Sequence, residues 1–238
     1  MWFFNREKRF DFQRFLKKAA RWDAYEMQKY EELYRHIHEN RTMARQRRLG
    51  LKLLILSDTH GHLAFDKSRF PAFLDTVGEF DLCILLGDIH PAEMPIILDC
   101  IPKEKIIALK GNHDEFDLYE RFGIRDISGR CFTYKGVRFA GLEGSFRYKA
   151  EPCPSYTQYE SLLAADELPQ ADVLLTHDIA LCDFTRSPAH AGLIGIAHYI
   201  YKHGVLFHFH GHIHQSWEKS YDNGTIEKSI YLCEAVEI

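Results

Sequence analysis

Short apolar runs that break off into clusters of Asp, Asn or His recur along this sequence. Residues 51–56 lead into Ser57-Asp58-Thr59-His60-Gly61, and residues 82–86 into Gly87-Asp88. Residues 106–109 lead toward Gly111-Asn112-His113-Asp114, and residues 173–175 into Thr176-His177-Asp178. A run at 137–140 has no such ending, whereas 205–207 runs on to Gly211-His212-Ile213-His214. Apolar runs this short, bounded by Gly or Asp, predict buried strands. Helical patterns at 68–77 and 156–165 fall between them, and strand–helix alternation predicts a largely parallel sheet. The carboxyl ends of such strands form the ligand-binding edge, so the polar clusters converge there. Near the end, Asp222-Asn223-Gly224 separates residues 215–221 from 225–232, the signature of a tight hairpin.

The composition fits an ordinary globular chain, with 46% hydrophobic and 27% charged residues among 238. That balance excludes disordered and fibrous classes. The apolar runs fall short of the roughly 20 residues a membrane-spanning helix needs. The start, Met1-Trp2-Phe3-Phe4-Asn5-Arg6, is interrupted by charge too early for a secretory signal. Six cysteines without a CxxC pair suggest free thiols, and the expectation is a cytoplasmic protein.

Charge divides the chain in two. Residues 1–49 carry 13 Lys/Arg against 7 Asp/Glu, whereas residues 50–238 carry 17 against 27. Within the first part, Phe12, Phe15, Leu16, Ala19, Tyr30, Leu33, Tyr34 and Ile37 fall at spacings of three and four. This predicts a basic amphipathic helical extension over 1–49, helical across 5–47, ahead of a main domain at 50–238. The expected fate of its apolar stripe is packing, on its own domain or on a second subunit to give a homo-oligomer. An anionic membrane surface or nucleic acid ranks behind these.

Taken singly, each polar cluster reads as turn chemistry, since Gly and Asp favour turns. Their recurrence in order after strands points to a shared site. Asp58, Asp88 and Asn112 offer oxygen, while His60, His177, His212 and His214 offer imidazole nitrogen. These are too many for one tetrahedral zinc. They suit two divalent ions drawn from manganese, iron, zinc or nickel, manganese first, with one carboxylate between them.

The ordered set Asp58-x-His60, Gly87-Asp88, Gly111-Asn112-His113-Asp114, His177 and Gly211-His212-x-His214 resembles the calcineurin-like metallophosphoesterase superfamily. The resemblance covers about residues 51–238. It implies a four-layer α/β/β/α sandwich with a two-metal centre at the strand ends. It also implies that Asp58, His60, Asp88 and His214 hold one ion and Asp88, Asn112, His177 and His212 the other. His113 would face the substrate and protonate the leaving oxygen. The implied activity is hydrolysis of a phosphodiester or a small phosphomonoester by a metal-bridging hydroxide. Gly87-Asp88-Ile89-His90-Pro91-Ala92-Glu93 departs from the Gly-Asp-x-x-Asp-Arg-Gly of the protein-phosphatase branch, which argues against a protein substrate. The alternatives are a nuclease, supported by the basic first segment, and a catalytically idle scaffold of the same fold.

Several residues stand near these motifs without belonging to them. His62 and His90 are candidates to line the site. His208 and His210 alternate with Phe207 and Phe209, which favours packing on one sheet face over ligation. Arg147 is a candidate to fork onto a phosphate, with a plain solvated arginine the equal alternative. Asp114 is not expected to orient His113, because adjacent side chains diverge.

Overall fold

The computed structural model describes residues 42–44, 48–150, 152–181 and 188–238. Two sheets face each other. The first has the order β13-β1-β2-β3-β4, where β1 is Lys52–Ser57, β2 Leu82–Leu85, β3 Ile106–Ala108, β4 Arg125–Asp126 and β13 Leu232–Glu237. Strands β1 to β4 are parallel, and β13 closes one edge antiparallel to β1. The second sheet has the order β11-β12-β10-β9-β6-β5. Its strands are β5 Cys131–Tyr134, β6 Val137–Leu142, β9 Val173–Thr176, β10 Phe207–His210, β11 Trp217–Ser220 and β12 Ile226–Ser229. Here β12, β10, β9 and β6 are parallel, and each outer strand pairs antiparallel. A short pair, β7 Ser145–Phe146 and β8 Ser155–Tyr156, lies between β6 and the next helix.

The two-residue side-chain period of a strand assigns each apolar residue to a layer. Leu53, Ile55, Leu82 and Ile84 of the first sheet meet Phe139, Val173, Leu175 and Phe209 of the second. The alternate residues Leu54, Leu56, Cys83 and Leu85 pack under helices α1 His62–Phe65, α2 Arg69–Val77, α3 Met94–Cys100 and α4 Leu118–Arg121. Ala140, Leu142 and Leu174 pack under α5 Gln158–Glu167 and α6 Ile194–His203. The result is the α/β/β/α order expected from the resemblance.

The local devices that start and stop these elements are conventional. Thr157 and Glu160 form a capping box at the start of α5: Thr157 Oγ1 accepts from the Glu160 N–H, and Glu160 Oε2 from the Thr157 N–H. Gly204, at φ 60°, ends α6 in the left-handed conformation. The Asn223-Gly224 hairpin forms as expected between β11 and β12. Its second arm, however, stops at Ser229 rather than Leu232. The Ile230 N–H goes to the carbonyl of His210, and Leu232 takes φ 66° to turn the chain into the other sheet. The β5–β6 hairpin lies outside the sequence expectations; its signal is Lys135-Gly136, both residues at positive φ.

The basic extension lies almost wholly outside the described residues. Of residues 5–47, Thr42–Ala44 carry no helix. Their backbone is drawn instead onto the main domain: Thr42 N–H donates to the carbonyl of Tyr201 and Ala44 N–H to that of Asn223. Among the described residues, no helix is long and apolar enough to cross a membrane.

Helices α5 and α6 cross closely at Gly195, where an added Cβ would stand 2.0 Å from the carbonyl oxygen of Ser161. Gly195→Ala is expected to destabilise the domain by about 2 kcal/mol through overpacking. A fall in Tm of roughly 4–8 °C follows for a domain of this size. An unchanged melting curve would show that the two helices separate freely.

Candidate metal centre

All the sequence-predicted site residues come together at the carboxyl ends of β1, β2, β9 and β10 and beyond β3. The backbone there is unusual. Asp58, His60, Asp88, His212 and His214 all have positive φ, between 45° and 67°. For residues other than Gly this conformation costs on the order of 1 kcal/mol each, and such strain concentrates where function requires it. Glycine allows the loops to close on one another. A Cβ at Gly211 would lie 1.8 Å from Ser57 Oγ and 2.3 Å from Asp58 Oδ2, and one at Gly111 would lie 2.1 Å from Asp88 Oδ1.

Two buried carboxylates form the floor. Asp58 Oδ2 accepts from Ser57 Oγ at 2.7 Å and from the His212 N–H at 2.8 Å. Asp88 Oδ1 accepts from the His113 N–H at 2.8 Å. The second oxygen of each, Asp58 Oδ1 and Asp88 Oδ2, is buried without a hydrogen-bond partner. Imidazoles surround these two atoms. His214 Nε2 lies 3.3 Å from Asp58 Oδ1, and His60 Nε2 lies 4.0 Å from the same oxygen. His60 Nε2 and His177 Nε2 stand 3.7 and 3.5 Å from Asp88 Oδ2.

Asp58, His60 and His214 form one triad, and Asp58, Asp88 and His177 another, each with ligand atoms within 4.8 Å of one another. An unpartnered buried carboxylate oxygen is costly, and a cation between such oxygens offsets that cost. The donor set therefore fits metal. Mixed imidazole and carboxylate suits a first-row divalent ion.

The remaining expected ligands are aligned by their outer contacts. His177 Nδ1–H donates to the carbonyl of Leu86 at 2.8 Å, which turns Nε2 inward. His212 Nε2–H donates to the carbonyl of Ala189 at 2.9 Å, leaving Nδ1 as the free lone pair of that ring. Asn112 Oδ1 is 3.1 Å from His177 Nε2. Asp58, Asp88, Asn112, His177 and His212 are buried, whereas His60, His113 and His214 are exposed and form the solvent side.

The electrostatics reflect concentrated negative charge. Burial pushes the Asp88 carboxyl up, but His177 and the His113 N–H outweigh it and hold it well below the usual carboxylate range. Burial likewise acts against ionised Asp58, and His214, His177 and Ser57 bring it below its ordinary value. Burial alone would lower His177; the carboxylates of Asp88 and Asp58 instead raise it to about 10.

Residues outside the predicted set hold the loops together. Asp114 does not orient His113. Its oxygens accept from the N–H groups of Asp88, Gly111 and Ile89 at 2.8, 2.8 and 2.9 Å. Burial and the neighbouring Asp88 raise its pKa to about 7. Glu93, fully buried, accepts from Thr59 Oγ1 and from the N–H groups of Leu63 and His90. No motif marks Glu93 in the sequence; its only signal is an acid three residues after His90, where it completes a capping box. His90 Nδ1 is itself committed to the N–H of Ala92, and His62 Nδ1 to the carbonyl of Thr59. His190 stands beside the site, its ring centroid 5.0 Å from that of His212.

His208 and His210 are packed, as expected, and not among the triads. Thr176 Oγ1 donates to the carbonyl of Asp178, so it accepts from His208 Nε2, while His208 Nδ1 lies 2.9 Å from Glu227 Oε1. Arg147 corrects the phosphate-fork expectation. Its guanidinium is taken by Ser155 and by Glu160 at 2.9 Å, the same acid that caps α5.

A family model described as the calcineurin-like phosphoesterase superfamily domain matches residues 51–229. No curated protein matches the sequence. Among solved structures, the protein TT1561 of Thermus thermophilus is similar at 15% identity and a TM-score of 0.53, over 79% of this chain and 99% of that one. A phosphopantetheinyl hydrolase from Mycobacterium tuberculosis is similar at 14% identity and a TM-score of 0.51, over 77% and 90%. At these identities the likeness is one of fold.

Asp88→Asn removes the charge from the oxygen that His60 and His177 both face. The variant is expected to bind less divalent metal than wild type by elemental analysis, and to lose most of the rise in Tm that added manganese produces. Unchanged metal content would remove Asp88 from between the ions.

Proposed function

Since the chain belongs to the calcineurin-like phosphoesterase superfamily, we propose that it is a metal-dependent hydrolase of a phosphodiester or a small phosphomonoester. The observation that carries this reading is the pair of buried, unpartnered oxygens, Asp58 Oδ1 and Asp88 Oδ2, ringed by imidazoles. Asp58, His60, Asp88 and His214 would hold one ion, and Asp88, Asn112, His177 and His212 the other, with manganese the first candidate. Ions held there would neutralise the phosphoryl oxygens and lower the pKa of water near them.

The chain's own residues supply the rest. Asp88 Oδ1 accepts from the His113 N–H, and the unpartnered Oδ2 would be open to a cation. That same hydrogen bond fixes where the His113 side chain begins. The imidazole then projects on the exposed side, its centroid 5.6 Å from that of His60. In that position it would protonate the departing oxygen, an effect typically worth about 10²–10⁴-fold. The burial of Asn112 and His212 keeps water from the inner side. Cys83, Cys100, Cys131, Cys153 and Cys233 are free thiols, which supports a reducing, cytoplasmic setting.

His113→Ala separates binding from chemistry. The variant is expected to keep near wild-type metal content while turnover of alkyl phosphates falls about 10²–10⁴-fold. Nitrophenyl esters, whose leaving group needs little protonation, are expected to lose less. An equal loss across leaving groups would assign His113 a positional role.

A further inference from the structure

Tyr148 and Lys149 belong to no motif, yet the loop between β7 and β8 brings both against the metal centre. Tyr148 Oη accepts from Asn112 Nδ2 at 3.4 Å. An amide has one donor end and one acceptor end, so this contact turns Asn112 Oδ1 inward, toward His177. Since Tyr148 Oη is the acceptor there, the phenolic hydrogen is left over, and it meets no acceptor among the described residues.

Lys149 Nζ stands 5.1 Å from the centroid of the Tyr148 ring, over its face. Among the described residues Lys149 has no carboxylate partner, in contrast to Lys110, Lys135, Lys202, Lys219 and Lys228. The neighbouring Arg147 is withdrawn onto Glu160. Because Tyr148 is tied to Asn112, the residue before His113, the ammonium over its ring stands on the same rim.

The rim beside His113 therefore presents a half-buried cation without a counter-ion and an uncommitted O–H donor. Both features suit an anion: Lys serves as a point charge for phosphate, and a phenol donates to its oxygens. In the hydrolysis proposed above, the reacting phosphoryl group would lie toward the carboxylates and His113 would face the leaving group. We propose that Lys149 and Tyr148 form a second anion subsite that selects phosphoesters whose leaving group itself carries a phosphate-like anion. This rests on the phosphoester hydrolysis proposed above and on the placement of His113 at the leaving group.

The test uses two substrates with the same reacting phosphate, phenyl phosphate and its para-phosphonomethyl derivative, with the full chain loaded with manganese. The quantity read is the ratio of their kcat/KM values, with metal content measured alongside. Wild type is expected to favour the phosphonomethyl substrate by about tenfold, mainly through KM. Lys149→Ala is expected to bring the ratio close to unity, Lys149→Arg to retain the preference, and Tyr148→Phe to retain part of it. If Lys149→Ala lowers both rates by one factor, Lys149 acts only through His113 or the loop, and the subsite is refuted. A wild-type ratio near unity also refutes it while leaving phosphoester hydrolysis intact. Hydrolysis of neither substrate would overturn the subsite, and phosphoester hydrolysis would fall with it if bis(para-nitrophenyl) phosphate, a diester, were also left intact.

Discussion

Two carboxylates, Asp58 and Asp88, are buried with one oxygen satisfied by backbone N–H groups and the other facing only imidazoles. Everything around the site follows from keeping that charge in place. An ionised carboxylate in a low-dielectric interior is untenable unless it is hydrogen-bonded and paired. The backbone donors fix the direction of each side chain, and His214, His60 and His177 turn their Nε2 atoms toward the remaining oxygens. Since the donors come from His212 and His113, each carboxylate also positions another site residue. The charge to be neutralised and the geometry that neutralises it are built from the same contacts.

Such an arrangement needs backbone where side chains would ordinarily be. Gly111 and Gly211 let the loops after β3 and β10 approach Asp88 and Asp58 to distances that any Cβ would block. Five of the residues named as ligands adopt left-handed backbone, which turns their side chains back over the strand ends. Neither feature is stable alone. Strain of this kind persists only when surrounding structure over-determines it. Asp114 and Glu93 provide that surrounding structure by collecting N–H groups from the neighbouring turns.

The parallel strands and the convergence of Asp58 through His214 were legible in the sequence because both depend on local pattern. Apolar runs identify strands, and Gly beside a metal-ligating residue type identifies the turn that follows. What was not legible depends on partners distant in the chain. The Arg147 side chain pairs with Glu160 and Ser155, and the capping box at Thr157 fixes Glu160 beside it. Nothing local foretold that 230–232 would leave one sheet for the other, since this turns on one hydrogen bond to His210 and the positive φ of Leu232. Glu93 and Tyr148 escaped notice because neither has a motif; each matters only through what the fold sets against it.

The outer face of the second sheet carries the same logic one layer further from solvent. Glu227 is fully buried, and burial acts to raise its pKa; its contact with His208, together with Lys219, outweighs this and holds it below the usual carboxylate range. His208 passes the contact to Thr176, the residue before His177. His210 directs Nδ1–H to the carbonyl of Gly211, the residue before His212. Burial brings the pKa of His210 down to about 3, so it is neutral, and its second nitrogen has no partner. An aliphatic pair would pack in these positions without any of these costs. Histidines at 208 and 210 instead hydrogen-bond the backbone and hydroxyl groups that lead into two expected metal ligands. A buried acid is thereby connected through His208 to the turn before His177, and the strand register of β10 and β12 fixes the connection. The polar layer behind the sheet thus holds the Thr176 hydroxyl before His177 and the Gly211 carbonyl before His212, as the inner carboxylates hold the N–H groups of His212 and His113.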